Sequence, residues 1–160
     1  MKSMEMVSNS PEQTRKIGIK LGKLVAPGDV IFLVGSLGAG KTCLTQGIAH
    51  GLGIHEYTAS PSFVLVREYQ GKLPLYHIDL YRLDRIEEVA QLGLDDYLYG
   101  NGVCVVEWAD KGLSVLPEEN LLIEMQIISP LKRKLSFMPK GTRYLEMLSK
   151  LNNVPRGTRK

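Results

Sequence analysis

With 160 residues, 44% of them apolar, the chain falls within the size of one domain and can bury a core of its own. Its formal net charge of +3 is too small to demand a nucleic-acid partner, and the longest unbroken apolar run, residues 30–34, is far too short to cross a bilayer. The first residues lack a signal peptide's charged start and long apolar stretch, and the two cysteines, Cys43 and Cys104, lie in no metal-binding or redox spacing, so a soluble, cytoplasmic protein is predicted.

In chain order, Ser10 and Pro11 read as an N-cap and first-turn proline, and Ile17, Leu21 and Leu24 recur at helical spacing, which predicts a helix to about Val25. Pro27 and Gly28 turn the chain. Residues 30–34, Val-Ile-Phe-Leu-Val, have the composition of a strand buried on both faces of a parallel sheet. After Lys41, the residues Leu44, Ile48, Ala49 and Leu52 mark a second helix, with Gly51 and Gly53 as its stop. Further strands are predicted over 63–69, 75–79, 103–107, 121–128 and 134–138, and helices over 85–98 and 142–151. The pattern predicts an α/β fold, a P-loop NTPase-like open, mostly parallel sheet flanked by helices. One domain over residues 1–151 is expected, followed by a basic, flexible tail over 152–160.

Between the first buried strand and the second helix lies Gly35-Ser36-Leu37-Gly38-Ala39-Gly40-Lys41-Thr42, which fits G-x-x-x-x-G-K-[ST]. Glycines at Gly35, Gly38 and Gly40 let the backbone curl so that successive N–H groups, those of Ala39 and Cys43 included, converge on phosphate oxygens. Lys41 supplies a charge to the outer phosphates. Thr42 supplies a hydroxyl to magnesium, and the helix behind it points its positive end at the nucleotide. The motif predicts nucleotide binding and leaves the reaction open.

Phosphoryl chemistry on magnesium also needs an acidic group near the metal, usually at the C-terminal end of a neighbouring strand. Asp79 closes the run Leu75-Tyr76-His77-Ile78 and Glu107 closes Val103-Cys104-Val105-Val106. The preferred assignment puts Glu107 with Thr42 in the magnesium shell and Asp79 on the attacking water or a metal-bound water, although the two roles are interchangeable at this level. Guanine-recognition N-K-x-D is absent, which favours adenine, and no arginine among Arg67, Arg82 and Arg133 stands out as a finger. Slow hydrolysis by the isolated chain is expected.

With Ser60-Pro61-Ser62-Phe63, His77-Ile78-Asp79-Leu80-Tyr81-Arg82-Leu83 and Val106-Glu107-Trp108 added to the glycine loop, the ordered set closely resembles the bacterial TsaE (YjeE-type) family. The likeness runs from about Thr14 to Trp108 and continues more loosely through Gly141 and Arg143. It implies a small P-loop ATPase that binds ATP and Mg2+, hydrolyses weakly, and works with the TsaB and TsaD proteins in tRNA threonylcarbamoyladenosine synthesis. It implies that Lys41 and Thr42 belong to the phosphate and metal site, Glu107 to magnesium, and Asp79 to hydrolysis. By the same likeness Ser60 and Ser62 belong to a switch-type segment, with Ser62 where threonine is common; Ser36 and Cys43 are also departures from the family pattern, and neither removes a needed N–H.

Other positions admit two readings. Trp108 either meets the nucleotide or a partner, or is buried against the sheet. His77 is either functional or a satisfied structural histidine, and Tyr81 and Arg82, just past Asp79, either make a partner or phosphate contact or pack at the surface. Thr14 and Arg133 are candidates for holding the base by position alone. A small-molecule kinase and a nucleotide-gated interaction module with incidental hydrolysis are the competing functions, and weak or indirect tRNA contact is compatible with the basic tail.

Overall fold

The computed structural model describes residues 3–56 and 66–153. Its centre is one sheet made of β1 (Met4–Ser8), β2 (Val30–Gly35), β3 (Val66–Gln70), β4 (Pro74–Asp79), β5 (Val103–Glu107), β6 (Asn120–Ile127) and β7 (Arg133–Lys140). The spatial order is β1-β7-β6-β2-β5-β4-β3. The four central strands β6, β2, β5 and β4 are parallel to one another, while β7 and β3 pair antiparallel to their neighbours at the two flanks. Helices α1 (Pro11–Leu24), α2 (Lys41–Gly51), α3 (Ile86–Ala90), α4 (Asp95–Leu98) and α5 (Thr142–Asn153) complete the layers. Among the described residues no helix is long and apolar enough to cross a membrane.

Strand β2 is apolar at every position because both of its faces are covered. Ile31 and Leu33 enter the core beneath α1, α2 and α5, where Leu21, Leu44, Ile48 and Leu148 are fully buried. Val30 and Phe32 enter the opposite core with Ile78, Leu80, Val106 and, from the short helices, Val89 and Leu98. The parallel registers place Leu33 opposite Glu107 on β5 and Asp79 opposite Glu107 across the next pair. The ends of β2, β5 and β4 therefore open at one edge of the sheet, where ligands of such folds collect.

Helix α1 starts as its sequence predicts, with the Ser10 hydroxyl accepting from the Gln13 N–H at 3.1 Å and proline in the first turn. What holds it to α2 is a pair of glycine rows, Gly18 and Gly22 against Gly47 and Gly51. A Cβ on Gly18 would lie 2.4 Å from the Leu44 carbonyl oxygen, and one on Gly47 only 2.2 Å from that of Arg15. The two helices thus touch backbone to backbone.

One expected element needs correction, one strand is added, and one is described only in part. Residues 85–98 do not form one helix: the chain breaks after α3, passes through Gly93 at φ +69°, and resumes as the single turn α4. A strand that sequence reading left unassigned, β1, pairs with β7 across Met4↔Phe137 to Ser8↔Arg133. Its alternation of half-buried and exposed residues suits a flank strand covered on one face. The strand expected over 63–69 is β3, five residues from Val66, and positions 63–65 lie outside the described residues. The remaining predicted elements shift by no more than two residues at an end.

Gly→Ala in an exposed helix interior ordinarily stabilises by about 1 kcal/mol. At Gly47 the backbone contact reverses the sign: Gly47→Ala is expected to lower stability by about 1–3 kcal/mol, as overpacking does. Urea unfolding followed by circular dichroism checks this, and a stabilised variant would show that the helices separate readily.

Candidate active site

The loop between β2 and α2 owes its path to glycine at two positions. A Cβ on Gly35 would lie 2.6 Å from the Met125 carbonyl oxygen of β6, and Gly40, the N-cap of α2, sits at φ +104° in the left-handed region. No acidic residue occupies the first turn of α2 and no side chain caps its N-terminus, so the acidic groups facing this end of the helix come from other strands. The Lys41 ammonium donates to the carbonyls of Gly35 and Ser36, each at 2.8 Å. Burial lowers the pKa of Lys41, against the raising effect of Glu107, Asp79 and Asp110.

Opposite the loop, the Thr42 hydroxyl lies 3.4 Å from both carboxylate oxygens of Glu107. Glu107 and Asp79 are each 2% exposed, side by side at the ends of β5 and β4. Asp79 Oδ1 accepts from the Tyr81 N–H at 2.9 Å, turning the chain away from the strand end. Beneath them, His77 Nε2 is 2.5 Å from Glu107 Oε2. Leu37, Gly38, Gly40, Lys41, Thr42, Cys43, Asp79, Tyr81 and Glu107 line a common cavity of about 390 Å³. A larger hollow, about 550 Å³, lies around Asp29 and Arg143 near the start of β2, but those two charges already form a bidentate pair at 3.1 and 2.8 Å.

Trp108 has φ +59°, a left-handed conformation that costs a bulky residue about 1–3 kcal/mol. Its backbone N–H donates to the Leu33 carbonyl at 3.0 Å, and its ring sits 4.1 Å from the Lys41 ammonium and 4.9 Å from the Tyr81 ring. A desolvated cation–π contact contributes up to about 2 kcal/mol, of the order of the strain. Lys111 ties the two post-strand segments together by donating to the carbonyls of Tyr81 and of Leu83, the latter at 2.9 Å, with its ammonium 5.9 Å from the Trp108 ring centre.

Gly35, Gly38, Ala39, Gly40, Lys41, Thr42, Cys43, Asp79, Glu107, His77 and Trp108 are therefore gathered at one edge of the sheet, whereas other expected residues are not. Thr14 is buried, with its hydroxyl 2.7 Å from that of Ser8, holding α1 to β1 rather than facing the cavity. Arg133 donates through Nε to the Ala39 carbonyl and through Nη2 to that of Gly38, both at 3.2 Å, while Nη1 reaches the Ser129 carbonyl at 2.8 Å. It is thus a brace from the β6–β7 hairpin to the outside of the glycine loop. Arg82 is exposed, and Ser60 and Ser62 lie outside the described residues. Tyr81, which the sequence offers with Arg82 as a partner or phosphate contact just past Asp79, lines the cavity, whereas nothing in the sequence marks Lys111.

A glycine loop between a buried parallel strand and a helix, with carboxylates at the ends of the next two strands, defines a P-loop NTPase-like α/β protein. The chain belongs, more narrowly, to the TsaE family: the sequence model described as Threonylcarbamoyl adenosine biosynthesis protein TsaE matches residues 8–135. It is 42% identical to the tRNA threonylcarbamoyladenosine biosynthesis protein TsaE of Bacillus subtilis over 96% of this chain and 99% of that one. It is 41% identical to the protein of the same name from Treponema pallidum over 83% of this chain and 98% of that one. A crystal structure of Bacillus subtilis YdiB superposes with a TM-score of 0.84 at 39% identity, covering 94% of this chain and 95% of that one.

The bracing role of Arg133 can be separated from base recognition. If the glycine loop binds phosphate as its sequence predicts, Arg133→Met is expected to weaken ADP and inorganic tripolyphosphate binding alike, by about tenfold, because it loosens that loop. Calorimetry with the two ligands decides it: loss confined to ADP would assign Arg133 to the base.

Proposed function

We propose that this chain is a Mg-ATP-dependent ATPase of tRNA threonylcarbamoyladenosine biosynthesis, hydrolysing slowly by itself and faster with TsaB and TsaD as partners in the cytoplasm. The carrying observation is the grouping of Lys41, Thr42, Glu107 and Asp79 around one cavity at the N-terminus of α2. The names of the relatives, which are tRNA threonylcarbamoyladenosine biosynthesis proteins, support the pathway.

The donor set suits magnesium. Among the described residues there is no cluster of three or more His, Cys, Asp or Glu around one metal position. Magnesium typically takes one or two protein ligands and fills its remaining positions with phosphate oxygens and water. The Thr42 hydroxyl and Glu107 carboxylate, 3.4 Å apart, are hard oxygen ligands for it. Magnesium there would neutralise charge developing on the phosphates.

Lys41 would leave the carbonyls of Gly35 and Ser36 for the outer phosphates, exchanging neutral acceptors for charged ones. The N–H groups from Gly38 to Cys43 would bind phosphate oxygens at the positive end of α2. Asp79, next to Glu107, would accept a hydrogen bond from the attacking water and orient it toward the terminal phosphorus. Since both carboxylates are almost wholly buried, the negative charge at the cavity floor is set by the protein and little screened by solvent.

Asp79→Ala is expected to bind ATP normally and lose hydrolysis by about 100-fold or more, whereas Lys41→Ala weakens binding as well. Phosphate release without an acceptor, with and without TsaB and TsaD, measures both the activity and its stimulation. Unchanged turnover in Asp79→Ala would remove that residue from the mechanism, and release only with an added acceptor would make the protein a kinase.

A further inference from the structure

We propose that His77 is a positioning residue: it donates its Nε2–H to Glu107 Oε2 and so fixes the orientation of the carboxylate that faces Thr42, leaving Oε1 for the metal position. This rests on the magnesium reading given above. His77 is fully buried and its Nε2 lies 2.5 Å from Oε2, and since a carboxylate only accepts, the ring nitrogen carries the proton. The Thr42 hydroxyl approaches the same carboxylate from the loop side at 3.4 Å. Glu107 is thus held between a rigid strand residue below and the metal-side hydroxyl above.

Packing alone does not account for an imidazole here. Alternation along β4 puts His77 on the same face as Leu75, and its register partner on β5 is Val105; Leu75 and Val105 both belong to the apolar core under α1 and α2. The other ring nitrogen, Nδ1, is buried with no hydrogen-bond partner among the described residues. An aliphatic side chain would fill this space without leaving a nitrogen unpaired. The imidazole is explained by what Nε2 does for Glu107. Two residues further along the same face β4 ends in Asp79, so one strand supplies both the support of the proposed metal ligand and the proposed water-orienting group. Outer hydrogen bonds of this kind orient a ligand, and their loss typically lowers metal affinity by about 10–100-fold.

The test compares binding of the non-hydrolysable analogue AMP-PNP in Mg2+ and in EDTA, by calorimetry on the full chain. Wild type is expected to bind more tightly with Mg2+. His77→Leu should lose about 10–100-fold of that gain while its affinity in EDTA stays within about twofold, and His77→Gln, whose amide N–H spans the same distance, should recover it. A destabilised His77→Leu with an unchanged Mg2+-to-EDTA ratio would make the residue merely structural and overturn the proposal. Should His77→Leu fail to fold, His77→Asn, polar but too short to reach Oε2, carries the same expectation and the same refutation. A wild type without any Mg2+ gain would overturn the metal reading and this proposal together, whereas a wild-type gain that every variant retains overturns the proposal alone.

Discussion

The parallel pairing of β2 with β5 is the constraint on which the rest of this structure depends. Because Leu33 stands opposite Glu107, the strand that delivers the glycine loop and the strand that delivers the carboxylate end together. Because β5 pairs in parallel with β4, Asp79 arrives at the same level. A one-residue slip in either pairing would turn the carboxylate of one strand to the opposite face of the sheet. Such registers survive because both faces are packed: alternate residues of β2 belong to two separate cores, and neither can move without exposing the other.

Burying four ionisable groups at this edge is costly unless they meet one another. The site meets that cost with short, local contacts. Glu107 faces both His77 and Thr42, Asp79 takes a backbone N–H, and Lys41 takes two loop carbonyls under the face of Trp108. Two of these arrangements carry visible tension: Trp108 is held in a left-handed conformation, and the Lys41 ammonium is drawn down in pKa by burial. A phosphate group offers Lys41 a better partner than a carbonyl. The loop is braced on two sides, by Arg133 outside and by the glycine-packed α1 behind α2.

Much of this was legible in the residues themselves. Residues 30–34 betray a doubly covered strand because nothing polar interrupts them, and Gly35 to Thr42 betray the loop because each fixed position answers a steric or electrostatic need. Asp79 and Glu107 were visible as acids ending apolar runs. The short helices within 85–98 were misread as one because periodicity does not register the single left-handed Gly93, and β1 went unassigned because a five-residue flank strand covered on one face gives a weak signal. Thr14 and Arg133 illustrate the same limit, since proximity to the loop is no guide to what a side chain touches.

Sequence alone thus determined what depends on local chemistry: the strand–loop–helix unit, the glycine positions that shape its loop, and which residues could act as acids or ligands. Tertiary structure decided everything that depends on distant partners. It placed Thr42 3.4 Å from a carboxylate 65 residues away, set His77 beneath that same carboxylate, turned Arg133 into a brace, and locked α1 to α2 through paired glycines. The physical reason is that backbone conformation responds to a few neighbouring residues, whereas contact between side chains far apart in the chain is fixed only once the strand order and register of the whole sheet exist.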